Sequence, residues 1–291
     1  KVMVSNLASG QTAHYVGTSD IVMMPAIVDV SGINRISRMV FENAVGAIVG
    51  IVEAAEARKK REMLDKPLIV ASMFGNTTVC VEHAKRVLEN AGFEVLVFHA
   101  TGTGGRAMES LIRSGLVAGV LDITTTEWAD EITGGVLSAG PERLDAAAQV
   151  GIPAIVVPGC LDMANFGPPE TVPKQYVGRT FYHHNPQVTL MRTNVEENRR
   201  LGEIIAKKVN QYRVGVSVLI PRRAISVISA EGKPFFNPEA DAALFGAIRE
   251  GLDKRIPFIE KDMEINDQEF AEMCANTLLG YLKVGSSVAS R

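Results

Sequence analysis

"FEVLVFHATGTGGRAMESLIRSG" (93–115) is the stretch whose reading decides the fold. An apolar run reaches His99, a turn carries Gly102, Gly104 and Gly105, and residues 106–115 then follow a helical pattern closed by Gly115. A strand handing over to a helix through a glycine turn belongs to a βαβ unit. Such units build parallel sheets covered on both faces.

The same alternation extends outward on both sides. Strands are predicted at 67–74, 93–100, 117–124, 152–159, 188–193, 214–221 and 256–261. Helices are predicted at 79–92, 106–115, 141–151, 195–211, 238–252 and 266–282, the last capped by Asn266. The expected fold is α/β: a Rossmann-like, doubly wound parallel sheet over residues 67–291. Residues 1–66 read as the tail of a second, truncated Rossmann-like domain, with a bridging helix over 33–65. The chain opens inside a strand at Lys1-Val2-Met3-Val4, so an N-terminal portion is expected to be missing.

With 291 residues, 46% hydrophobic and 22% charged, the chain has the composition of an ordinary soluble protein. A net charge of −3 argues against a general nucleic-acid binder. The basic run Arg58–Arg61 is flanked by Glu53, Glu56 and Glu62 and reads as a solvated helix face. Three scattered cysteines give neither a disulfide framework nor a zinc site, so a cytoplasmic location is expected. No apolar stretch is long enough for a bilayer, and the start has no signal peptide, so no membrane partner is expected.

In doubly wound sheets ligands bind at the carboxyl ends of the strands. Those ends read "FGNTT" (74–78), "HATGTGGR" (99–106), "DITTTE" (122–127) and "PGCLDMANFG" (158–167). Backbone N–H groups at a helix start, bared by glycine, favour an anion. The expected phosphate site is therefore Gly75, Thr77 and Thr78 with Thr101, Gly102, Thr103, Gly104 and Gly105, and Arg106 adds a charge-assisted fork. The competing reading is that the glycines only make a tight turn. No Walker sequence occurs.

Asp122 and Glu127 suit a hard-oxygen Mg²⁺ site. In the preferred alternative, Thr124–Thr126 cap the next helix and Glu127 favours its positive end. "YHHNP" (182–186) supplies His183 and His184 as acid–base candidates. A transition-metal set of one of them with His99 and Asp162 is the weaker reading. Cys160 is a nucleophile candidate, although a small buried residue is the preferred reading.

Longer strings carry a resemblance along essentially the whole chain. They include "VMVSNLASG" (2–10), "SMFGNTTVCV" (72–81), "VFHATGTGGRAME" (97–109), "LDITTTEWADEITGGVLSAGPERLDAA" (121–147) and "HNPQVTLMRTN" (184–194). These resemble the Tm-one-like ATP-binding family. The resemblance implies two Rossmann-like subdomains, ATP as ligand, with Mg²⁺ as a candidate companion, and a homodimer. The family's first strand end and its early glycine-rich loop have no counterpart here. The resulting expectation is a nucleotide-binding protein. The alternative is a metabolic enzyme acting on a small phosphorylated or carboxylated compound, with His183, His184, Glu127 and Asp122 as candidate catalytic residues, and a third reading is a protein-interaction scaffold without turnover.

Overall fold

The structure is a computed structural model. It describes residues 1–59, apart from Ser9, Gln11, Thr18 and Val30, and residues 66–288. Two compact units divide the chain, Lys1–Asp65 and Lys66–Arg291.

In the first unit, β1 (Val2–Ser5) pairs in parallel with β2 (Val22–Pro25), with a short α1 (Ala13–Val16) between them. The long α2 (Arg35–Lys59) follows. Its start is fixed by Asn34, whose Oδ1 accepts from the N–H groups of Ile36 and Ser37, both at 2.9 Å. This is an ordinary side-chain cap. The far end of the helix expected over 33–65 lies outside the described residues.

The second unit opens with β3 (Leu68–Met73), α3 (Thr78–Asn90), β4 (Glu94–His99), α4 (Thr103–Arg113) and β5 (Val117–Thr124). It continues with α5 (Glu127–Thr133), α6 (Ala146–Val150), β6 (Ala154–Gly159), β7 (Met163–Phe166), β8 (Phe181–Asn185) and β9 (Val188–Arg192). It closes with α7 (Val195–Val209), β10 (Val216–Pro221), α8 (Pro238–Gly251), β11 (Phe258–Lys261) and α9 (Gln268–Val288). Six strands form one parallel sheet in the order β11-β10-β6-β5-β3-β4.

Side-chain alternation along these strands explains the two-sided burial. Val70, Val120, Val156 and Val218 face one way and pack with Met108 and Ile112 of α4, Leu201 and Ile205 of α7, and Leu244 and Ile248 of α8. Ile69, Leu121, Ile155 and Leu219 face the other way, onto Val81 and Leu88 of α3 and Phe270, Cys274 and Leu278 of α9. The doubly wound sheet expected from the sequence is therefore present.

Three local expectations are corrected. The apolar run at 188–193 does not join the parallel sheet; β9 pairs antiparallel with β7 and β8 in a separate three-stranded sheet. The helix expected over 141–151 exists only as α6, because Leu144 takes a positive φ of 75° and breaks the run. Asn266 does not cap α9. Its Oδ1 accepts from the Cys80 N–H in the first turn of α3, at 3.1 Å.

Candidate functional site

The carboxyl edge of the sheet is built from the turns after β3, β4, β5 and β6. The Ala100 N–H donates to the Met73 carbonyl at 2.7 Å, so the turns after β3 and β4 lie side by side. Counting only the strands of this parallel sheet, the order runs 2-1-3-4-5-6, which is flavodoxin-like. The switch point of that order falls between β3 and β5.

What the glycine turn approaches is the protein itself. Gly102 and Gly105 both donate their N–H groups to Oε1 of Glu127, at 2.7 and 3.1 Å. A Cβ on Gly105 would stand 2.3 Å from Glu127 Oε2, and one on Gly104 would stand 1.8 Å from the His99 carbonyl oxygen. Gly102, at φ 78°, would bring a Cβ to 2.6 Å from the Ser138 carbonyl oxygen. The helix start does hold an anion, as the dipole favours, and that anion is a fully buried internal carboxylate. Arg106 donates to the Ser138 carbonyl at 2.9 Å and to Thr103 Oγ1 at 3.3 Å.

Glu127 is itself held by Arg143, a buried guanidinium in the turn before α6. Arg143 Nε donates to Glu127 Oε2 at 2.6 Å, while its two terminal nitrogens form a fork to Asp122 with both contacts at 2.6 Å. One of those nitrogens also reaches Glu109 Oε1 at 3.3 Å, and the other the Thr124 carbonyl at 3.2 Å. All five guanidinium N–H groups thus have acceptors. The three carboxylates outnumber the one cation, and backbone dipoles supply the remaining positive potential. Glu109 accepts from the N–H groups of Leu144 and Ala146, at 2.7 and 2.9 Å, ahead of α6. Burial nevertheless pushes the Glu109 carboxyl up, against the opposing pull of Arg143.

The Mg²⁺ site read into Asp122 and Glu127 is therefore replaced by an ion-pair cluster. Asp122 Oδ1 also accepts from Ser72 Oγ at 2.6 Å. The threonines do not cap α5 either. Thr124 Oγ1 meets Thr77 Oγ1 at 2.7 Å, while Thr125 and Thr126 donate to the carbonyls of Val157 and Met163. Glu127 serves the start of α4, not of its own helix.

His183 and His184 lie exposed on β8, and His99 is exposed at the end of β4. Among the described residues no three His, Cys, Asp or Glu side chains are placed to hold a metal ion. Asp162, the other metal candidate, is fully buried and accepts from Ser226 Oγ at 2.7 Å, while its Oδ1 has no partner. Burial lifts its carboxyl to about 6, with Arg192 and Ser226 opposing. Cys160 is fully buried at a positive φ of 61°, and burial raises its thiol well above the ordinary range, so it is packing and not a poised nucleophile.

The turn after β3 has a different character. Gly75–Thr77 form a 3₁₀ turn leading directly into α3. Gly75 is exposed, and a Cβ there would meet nothing within 4 Å. The first turn of α3 has no acidic residue, and the N-cap Thr77 makes no side-chain cap bond. Thr78 Oγ1 donates weakly, to the Phe74 and Gly75 carbonyls at 3.3 Å each.

Arg143 and Glu109 were not singled out from the sequence. The available signal was the acidic residues themselves. Glu109 lies between Met108 and Ile112 in α4, and Asp122 lies within "VAGVLDIT". A carboxylate on an apolar face must be neutralised, by a proton or by a buried cation such as Arg143.

Sheet order and edge geometry define a doubly wound α/β protein with a flavodoxin-like strand order. The chain belongs to the uncharacterised protein family UPF0261: residues 1–57 match its N-terminal domain and residues 66–282 its C-terminal domain. It is 52% identical over 284 residues to a UPF0261 protein of Clostridium tetani, covering 97% of this chain and 70% of that protein. A UPF0261 protein of Rhizobium meliloti is 48% identical, with 94% of this chain and 68% of that one covered. The ToMV resistance protein Tm-1(GCR237) of Solanum lycopersicum is 43% identical over 96% of this chain, which spans 38% of the tomato protein's length. The likeness to the tomato Tm-1 protein read from the sequence strings is thereby shown.

Proposed function

We propose that this chain binds a nucleotide, ATP being the one the family resemblance implies, over the open turn Gly75–Thr78 at the carboxyl edge of the sheet. The observation that carries the reading is the contrast between two neighbouring turns. The amides at Gly102 and Gly105 are closed by Glu127, whereas Gly75 faces open space at the switch point. A phosphate there would meet the start of α3 with the Thr78 hydroxyl beside it. Thr101, Thr103 and Arg106, exposed on the adjoining turn, would flank the rest of the ligand. Mg²⁺ would enter as the companion of the phosphates, and the working protein would be a cytoplasmic homodimer.

Calorimetric titration of the chain with Mg-ATP, AMP and inorganic phosphate tests this. Gly75→Val is expected to weaken Mg-ATP binding at least about tenfold without moving the melting point, and Arg106→Ala to weaken it by a similar factor. Absence of binding by all three compounds, or wild-type affinity in both variants, removes the site.

An enzyme acting on a small phosphorylated or carboxylated compound has one observation in its favour. Asp162 is a buried group titrating near 6 at the carboxyl end of β6, with an oxygen left unpartnered. A metabolite screen by thermal shift separates the two readings, because a ligand at 100 times its Kd adds about 2.7 kcal/mol. If only nucleotides shift the midpoint, the enzyme reading loses its support.

A further inference from the structure

A cavity lies at the carboxyl end of β10, three strands or about 14 Å across the sheet from β3. It encloses about 330 Å³, at the small end of the usual range for ligand pockets. Arg222 and Arg223 enter directly from the end of β10, Glu231 and Phe236 from the segment before α8, Asp241 from the first turn of α8, and Glu264 from beyond β11. The floor is fixed by backbone pairing. Arg222 and Arg223 donate their N–H groups to the Lys261 and Met263 carbonyls, at 2.8 and 3.0 Å, and Ile265 donates to Ala224 at 2.9 Å.

Two of these charges are already matched. Arg223 pairs with Asp267 at 2.7 Å, and Asp241 accepts from Arg192 at 2.5 Å. Among the described residues the side chains of Arg222, Glu231 and Glu264 have no hydrogen bond or ion pair. The cavity therefore offers one free cation and two free carboxylates beside an apolar wall. Phe236 is 44% exposed on that wall and offers its ring as apolar surface to whatever enters. A simple anion would face the two glutamates, and a simple cation would face the two arginines. A ligand carrying both signs satisfies all of them.

We propose that this cavity binds a free α-amino acid with a bulky apolar side chain. Its carboxylate forks onto Arg222, its ammonium lies between Glu231 and Glu264, and its side chain covers Phe236. The guanidinium fork suits a carboxylate in two-point geometry. This site is independent of the turn at Gly75.

The test is calorimetric titration of the intact chain with L-phenylalanine, L-leucine, N-acetyl-L-phenylalanine, L-phenylalaninamide and inorganic phosphate. At least one of the free amino acids should bind with a Kd of roughly 1 mM or tighter. Removing either charge from L-phenylalanine, or introducing Arg222→Gln, should weaken that compound's binding at least about tenfold. Glu231→Gln should weaken the free amino acid and leave its N-acetyl derivative unaffected. Binding of neither amino acid, equal binding of the N-acetyl derivative, unchanged affinity in R222Q, or displacement by phosphate at equal concentration would each overturn the assignment. Arg222 and Glu231 are exposed, so both variants are expected to keep the wild-type melting point, which serves as the check on folding.

Discussion

Glu127→Gln separates a turn that closes on its own carboxylate from one that awaits a ligand. The side chain keeps its shape and loses its charge. Glu127 accepts three hydrogen bonds: from Gly102 and Gly105 through one oxygen, and from Arg143 through the other. A glutamine can turn its oxygen toward the two amides or toward Arg143, and its NH₂ then faces a donor on the other side. Removing one partner of a buried ion pair costs about 3–5 kcal/mol. Asp122 and Glu109 still neutralise Arg143, so the lower end applies, about 3 kcal/mol. For a unit of this size that corresponds to a fall of roughly 6–12 °C in the melting midpoint. Urea unfolding of the C-terminal unit within the intact chain, followed by circular dichroism, should show a lower midpoint at an unchanged slope. A loss below about 1 kcal/mol, or a gain in phosphate affinity with no loss of stability, would refute the view that Glu127 is the anion of this turn.

Other substitutions probe the same geometry. Gly105→Ala, with its Cβ forced to 2.3 Å from Glu127, should cost more than about 2 kcal/mol, whereas Gly75→Ala should cost less than about 1 kcal/mol; equal thermal shifts would contradict the contrast between the two turns. Burial lifts the Asp130 carboxyl to about 7 despite bonds from Asn165 and Leu137, so the folded chain holds a proton there that the unfolded chain releases near 4. That contribution is complete below pH 4 and disappears as the pH rises through 7. The slope approaches about 1.4 kcal/mol per pH unit, and Asp130→Asn should flatten it in urea midpoints taken between pH 4 and 8. Cys80, Cys160 and Cys274 are all buried with raised thiols, so iodoacetamide should label none of them until the chain unfolds; mass spectrometry of the native protein reads this directly.

The sheet was legible because its signals are local. The apolar runs of β5 and β6 and the helix "VEENRRLGEIIAKKV" depend on neighbours within a few residues, and Asn194 and Glu197 form the capping box that the helix start requires. The glycine turn was legible as a close approach, but not its partner. Glu127 lies 22 residues beyond Gly105 and reaches it only through the registers of β4 and β5 on either side of β3. Arg143 was hidden for a related reason. It sits in a stretch with helical composition that Leu144 interrupts, and nothing nearby announces the three carboxylates it joins. The antiparallel sheet of β7, β9 and β8 was missed because an isolated apolar run looks the same in either kind of ladder.

The bond between Cys80 and Asn266 spans 186 positions of chain and ties α3 to the segment just before α9, and the two helices cover the same face of the sheet. During synthesis the ribosome must add that whole interval before α9 can seal the surface that α3 covers only in part. At ordinary elongation rates this takes about 10–40 s. From the moment each is made until α9 follows, Leu121, Ile155 and Leu219 await that cover on the nascent polypeptide, where transiently exposed apolar surface invites chaperone binding.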